Sequence, residues 1–130
     1  MKPKYIEKDE WSTFFDSFNR THTGWTMTLE LLGTEIGAQI QDHELIFEGI
    51  VLEGKEKNGC QIMIMAGERP DGHITHRITR PLQVSFDQND QLSSALIMIE
   101  AGDGVTTLIK LYAPAFLEVM AGNQALAAKV

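Results

Sequence analysis

Trp11-Ser12-Thr13-Phe14-Phe15-Asp16-Ser17-Phe18 and, a few residues on, Trp25-Thr26-Met27-Thr28-Leu29-Glu30-Leu31 hold the two periodicities from which the architecture follows. In the first stretch the aromatic residues stand at i, i+3, i+4 and i+7, one face of an α-helix. In the second, Trp25, Met27, Leu29 and Leu31 alternate with Thr26, Thr28 and Glu30, as in a strand with one buried face and β-branched residues on the wet one. A repeat near 3.6 that gives way to a repeat of 2 predicts an amphipathic helix laid against a sheet.

The helix is expected over residues 9–22. Asp9 and Glu10 fall in its first turn and Arg20 and His22 in its last, the placement that suits the helix dipole. Gly24 supplies the stop. The aromatic stripe is read as the face glued to a core, because large apolar side chains in a helical row are core far more often than a binding box. Ahead of the helix, Lys2 and Lys4 are not followed by an apolar run, so no signal peptide is expected. No apolar run reaches the ~20 residues that span a bilayer. With Cys60 as the single cysteine, no internal disulfide can form, and a cytoplasmic location is expected.

Past Leu31 the alternation recurs. Gly33 to Gly37 breaks the first strand, and the next covers Leu45 to Glu53. Lys55 to Gly59 is a charged turn whose Asn58-Gly59 pair is a strong hairpin signal, leading into Cys60 to Ala66. Gly67 to Gly72 reads as a loop. Ile74, His76 and Ile78 alternate with Thr75, Arg77 and Thr79 until Pro81, and Leu82, Val84 and Phe86 resume the pattern. Ser94 to Ala101 and Val105 to Tyr112 form a last hairpin across Gly102-Asp103-Gly104. Pro114 suits the start of a short helix over 114–122, with 123–130 as a tail. Leu45-Ile46-Phe47, Cys60 to Ala66 and Ala95 to Ile99 are apolar at both parities, which implies cover on both faces. One helix is too little for three such strands. Either the sheet curls into a small barrel with the helix outside, or a second copy of the chain supplies the missing cover.

The chemistry-bearing residues are sparse. His73-Ile74-Thr75-His76-Arg77 is the densest group, and with Asp71, Glu68, His22 and Cys60 it invites a metal site or a metal-assisted hydrolase built on His73 or His76. On a strand, however, residues three apart project to opposite faces, so His73 and His76 cannot share an ion without a bulge. His76 has the parity of Ile74 and Ile78 and is expected as a buried, hydrogen-bonded histidine; His73 is expected on the wet side. No phosphate loop, nucleophile elbow or singled-out carboxylate pair is present, and Cys60 opens an apolar strand as a small hydrophobe. No catalytic residue, metal ligand set or cofactor is therefore assigned. Arg77 and Arg80, with Arg69 and His73 nearby and no acid from Ile74 to Phe86, form a small positive island that could hold an anion, an acidic segment or RNA.

That island stands against the rest of the chain. Eighteen acids against eleven Lys and Arg give a formal charge of −7, which disfavours nucleic-acid backbones and anionic membranes as general partners. A length of 130 residues fits one domain, able to bury roughly two-thirds of its unfolded surface without a disulfide or metal staple.

Four elements carry a family resemblance: Trp11-Ser12-Thr13-Phe14-Phe15, Gly37-Ala38-Gln39, His76-Arg77-Ile78-Thr79-Arg80-Pro81-Leu82-Gln83-Val84, and Asp103-Gly104. Together they resemble a group of small bacterial proteins classed only as a domain of unknown function, over about residues 10 to 112. The longer Glu68 to Thr75 segment and the tail after Tyr112 depart from the pattern. The resemblance implies no activity; it singles out Gly37, Gln39, His76 and Pro81 as positions to probe. A helix followed by a bent meander also has the element order of Sm-like RNA-binding proteins, a likeness of fold alone.

The sequence thus predicts an α+β domain: an N-terminal helix, then a strongly bent antiparallel meander or small barrel of about six to seven strands, then a short C-terminal helix. The function it favours is a non-enzymatic binding or interaction module that self-associates as a homodimer. Arg69, His73, His76, Arg77, Arg80 and Gln39 are its candidate binding residues.

Overall fold

A computed structural model describes residues 3–33, 37–40, 44–54, 59–68, 72–88 and 93–114, with the backbone alone at 37–40 and 68. The elements in chain order are β1 (Lys4–Ile6), a 3-10 turn (Lys8–Glu10), α1 (Trp11–His22), β2 (Thr26–Gly33), β3 (Gly37–Ile40), β4 (Leu45–Glu53), β5 (Gln61–Glu68), β6 (Gly72–Thr79), β7 (Pro81–Gln88), β8 (Ser94–Ala101) and β9 (Thr106–Tyr112). The strands form one antiparallel sheet in the order β1-β7-β8-β9-β2-β4-β5-β6, with β3 beside β2.

Among the described residues nine strands stand where about six to seven were expected. The two additions, β1 and β3, have three and four residues, too few to show a repeat of 2. β2 ends at Gly33, and the chain from Gly37 pairs back on it as β3, with Gly37 opposite Gly33 and Gln39 opposite Leu31. The loop expected over Gly67 to Gly72 is shorter, because the β5–β6 ladder runs out to Glu68 opposite Gly72. The short helix over 114–122 and the tail lie outside the described residues from 115 onward, and Lys55 to Asn58 of the charged turn do too.

The sheet is open rather than closed into a barrel. β6 and β7 follow each other through Arg80 alone, and one residue cannot reverse the chain into a hairpin, whose loops begin at two residues. The strand path therefore turns a corner, and β7 pairs with β8 while, among the described residues, β6 pairs only with β5. Arg80 makes the corner at φ 51°, in the left-handed region that non-glycine residues enter at some cost. Its carbonyl accepts the Gly102 N–H at 2.9 Å. Its guanidinium lies over Gly102, where a methyl group would stand 3.0–3.2 Å from the guanidinium atoms.

α1 packs on the inward rows of the sheet and not on its outside. Trp11, Phe15 and Phe18 belong to one buried cluster with Met27, Leu45, Phe47, Ile50, Ile64, Val84, Ile97, Ile109 and Leu111. Phe18 stands edge-on to Phe47 of β4 at 5.6 Å and to Phe86 of β7 at 5.7 Å, and Phe14 reaches Phe86 at 5.2 Å. The helix thus ties the two arms of the bent sheet together. Where β4 leaves β2 after Leu45 and Ile46, Asn19 takes the place of the missing strand. Its Nδ2 donates to the Ile50 carbonyl, and its Oδ1 accepts the Ile50 N–H, both at 2.9 Å.

Among the described residues nothing fully covers the second face of the strands that are apolar at both parities. Ile62, Ile64, Ala95, Ile97 and Ile99 are buried, whereas Met63, Met65, Leu96 and Met98, on the other parity, are half-buried. The outer row retains the exposed apolar surface that prompted the expectation of further cover.

Candidate functional site

β6 alternates as its sequence requires. His73, Thr75, Arg77 and Thr79 are exposed on the outer face, Ile74 and His76 are half-buried, and Ile78 is buried. His73 and His76 therefore project to opposite faces. His73 turns to Glu48 of β4, its Nδ1 3.0 Å from Oε2. The two imidazoles do not meet, and among the described residues no group of three or more His, Cys, Asp or Glu could hold a metal ion. The expected positive island is dispersed as well. Arg77 Nη2 lies 3.7 Å from the Met63 sulfur directly across the ladder, while Arg80 folds over the β8–β9 turn. Arg69 and Asp71 lie outside the described residues, and Gln39 is placed only as a backbone position of β3. Cys60 is buried just ahead of β5, as its apolar surroundings require.

His76 faces a cleft and not packed side chains. The opening of about 200 Å³ lies between His76, Arg77, Ile78 and Thr79 on one side and Leu31, Ala101, Asp103, Val105 and Thr107 on the other. It is the seam left where β6 and the β8–β9 hairpin diverge from the Arg80 corner. The expected hydrogen bond of a buried histidine is missing: among the described residues neither ring nitrogen of His76 has a partner. Burial holds the His76 imidazole below its ordinary range, so the neutral form, one donor and one acceptor, faces the cleft at neutral pH. The walls are chiefly apolar, with the Thr107 hydroxyl and the Asp103 carboxylate as further polar groups. Asp103 Oδ1 also accepts the Val105 N–H at 2.9 Å, which fixes the turn at the rim. A small apolar-walled cleft with a few convergent polar groups is the usual form of a ligand site.

A second hollow, of about 250 Å³, is bordered by Asp87, Gln88, Leu96, Lys110 and Tyr112. It is the larger of the two, yet its charged groups are already engaged. Asp87 accepts the Gln88 N–H at 2.8 Å, and Lys110 faces Glu30 at 3.7 Å. The His76 cleft offers unengaged groups and is the better candidate.

One buried polar residue was misjudged from sequence. His22 is only 3 % exposed and is not a cation at the helix end. It stacks on Phe18 at 4.0 Å and meets the Trp25 ring edge-on at 4.5 Å. Nδ1–H donates to the Phe18 carbonyl at 3.0 Å, leaving Nε2 buried without a partner among the described residues. Burial lowers its proton affinity, and the bond to Phe18 offsets that only in part. The signal was available: 11, 15, 18 and 22 continue one helical stripe.

Fold and cleft together define a small helix-filled, open antiparallel sheet of the α+β class. The chain belongs to the DUF5335 family, described as a family of unknown function, whose profile matches residues 2–120. In architecture it is similar to the crystal structure of the Bacillus subtilis YojF protein, with a TM-score of 0.51 and 13% sequence identity over 88% of this chain and 96% of that one. At that identity the likeness concerns the fold alone. No curated protein matches the chain. Among the described residues no helix is long and apolar enough to cross a membrane.

Proposed function

We propose that this chain is a non-enzymatic, cytoplasmic binding module whose ligand enters the cleft at His76. The observation that carries the reading is a half-buried imidazole with both ring nitrogens unengaged, facing apolar walls. Both nitrogens are open to the cleft, where a bound hydrogen-bonding group can engage them while its apolar body lies against the walls. The test is a fragment screen followed by nuclear magnetic resonance of the full chain. Fragments with an apolar body and one polar group should shift the His76, Leu31 and Thr107 signals together. Shifts scattered over the surface, or none, would remove the cleft as the site.

Self-association is the second part of the reading. It is supported by the outward Met63, Met65, Leu96, Met98 and Leu108, which stay half-buried with no second layer over them among the described residues. Light scattering on the eluting protein measures the mass directly. A dimer at micromolar concentration supports it, and a monomer throughout that range ends it.

A further inference from the structure

The two ends of the sheet differ in a way that points to a partner. β1 is a three-residue edge preceded by Pro3 and opened by Lys4, the usual means of keeping other strands away. β6 is an eight-residue edge, paired with β5 without a register shift from Glu68↔Gly72 to Gln61↔Thr79. It has no proline, lysine or bulge within it, and Ile74, Thr75, Ile78 and Thr79 favour an extended backbone.

The hydrogen-bonding sense of that edge follows from Asn19. Its amide takes both the N–H and the C=O of Ile50, so those groups point away from β5. Ile50 lies opposite Ile64, and Ile64 opposite His76. In an antiparallel ladder the direction alternates, so Ile64 and His76 bond each other, and Thr75 and Arg77 turn their N–H and C=O groups outward. Four consecutive residues of this strand, His76 to Thr79, line the cleft. Among the described residues no strand pairs with that edge, and the edge and the apolar hollow form one surface.

We propose that β6 receives an extended acidic segment of another protein as an additional strand, with an apolar side chain of that segment seated in the His76 cleft. Strand addition to an exposed edge draws affinity from main-chain hydrogen bonds and specificity from pockets for alternate side chains. Residues of the incoming strand opposite Ile74, His76 and Ile78 would project inward, where Leu31, Val105 and Thr107 wait. Those opposite Thr75 and Arg77 would project to the outer face, beside an exposed guanidinium. From Gly72 to Phe86 the chain has no acid, although the whole chain carries eighteen acids against eleven Lys and Arg. A second copy of β6 is the competing occupant: antiparallel self-pairing centred on Arg77 sets guanidinium against guanidinium, a destabilising arrangement, whereas pairing centred on His76 sets Arg77 against Thr75.

This inference rests on the cleft as the binding site, and its test separates the two. A phage-displayed library of random nonapeptides is panned on the full chain, and enriched peptides are synthesised for titration. Two variants serve as controls: Thr75→Pro removes an outward N–H while sparing the β5 ladder, and Arg77→Glu reverses the outer charge. Peptides that alternate acidic and apolar residues, and bind at least tenfold more weakly to both variants at unchanged melting temperature, are the expected result. No enrichment, or enriched peptides indifferent to both variants, overturns the proposal. Enrichment of basic peptides overturns it too, as does a dimer that Thr75→Pro converts to monomer. If fragments bind at His76 while peptides do not, this inference alone falls.

Discussion

Two histidines, one at each end of the same inward surface, show what the helix does for this fold. Along β2 and β9, Met27 faces Leu111 under the aromatic cluster, and Leu31 faces Thr107 at the cleft. At the first end His22 is clamped between Phe18 and Trp25, with one ring nitrogen bonded to a carbonyl. At the other, His76 is held neutral by the same physical cause, burial, yet its ring is unclamped. α1 supplies cover where its stripe reaches, and where it does not reach, the corner at Arg80 leaves a gap. One imidazole is part of the packing, and the other is available.

The contrast can be broken by mutation. Phe18→Ala empties the point where helix, β4 and β7 meet, and should cost about 3–5 kcal/mol in urea unfolding. Leu31→Ala, which enlarges an existing hollow, should cost less than half as much. Equal losses would mean that the cleft end is as tightly packed as the helix end. Asn19→Ala strands the Ile50 N–H and C=O and should cost about 1–3 kcal/mol, whereas a loss within ~0.5 kcal/mol would mean that water replaces the amide.

The pH dependence sharpens the comparison. Both histidines are held below the ordinary value of 6.5 when folded. The unfolded chain thus takes up protons first as pH falls, so stability is full above about pH 6.5 and declines below it. His22→Phe keeps a ring stacked on Phe18 and should flatten the slope of stability against pH just below 6.5. An unchanged slope would assign the effect elsewhere. The smallest effect is expected for His76→Ala, within ~0.5 kcal/mol in stability, with loss of the fragment-induced shifts as its visible consequence.

The helix and seven of the strands are legible in the sequence because their repeats run over five residues or more. Gly37–Ile40 and Lys4–Ile6 are strands by virtue of partners, β2 and β7, that no local pattern names. Openness was not legible either. The parity of Met63 and Met98 says that a second face is apolar, but not whether sheet, helix or nothing covers it. For the site, parity correctly sent His73 and His76 apart and set His76 inward. It could not show that inward meant a cleft, because the opposing wall comes from Leu31 and Thr107, distant along the chain. His22 was misassigned by giving the helix dipole precedence over the stripe to which it belongs.

The position of β2 has a consequence for how the chain is made. Residues 26–32 lie between β4 and β9, and their full-length neighbour is residues 106–112, among the last described. During synthesis β4, β5 and β6 can pair locally as they emerge, as can β7 with β8, but the strand pairing that joins these two groups must wait for β9. Until then Met27 and Leu29 have no companion on that flank, and a nascent chain stalled before Thr106 would display them to whatever meets it at the ribosome.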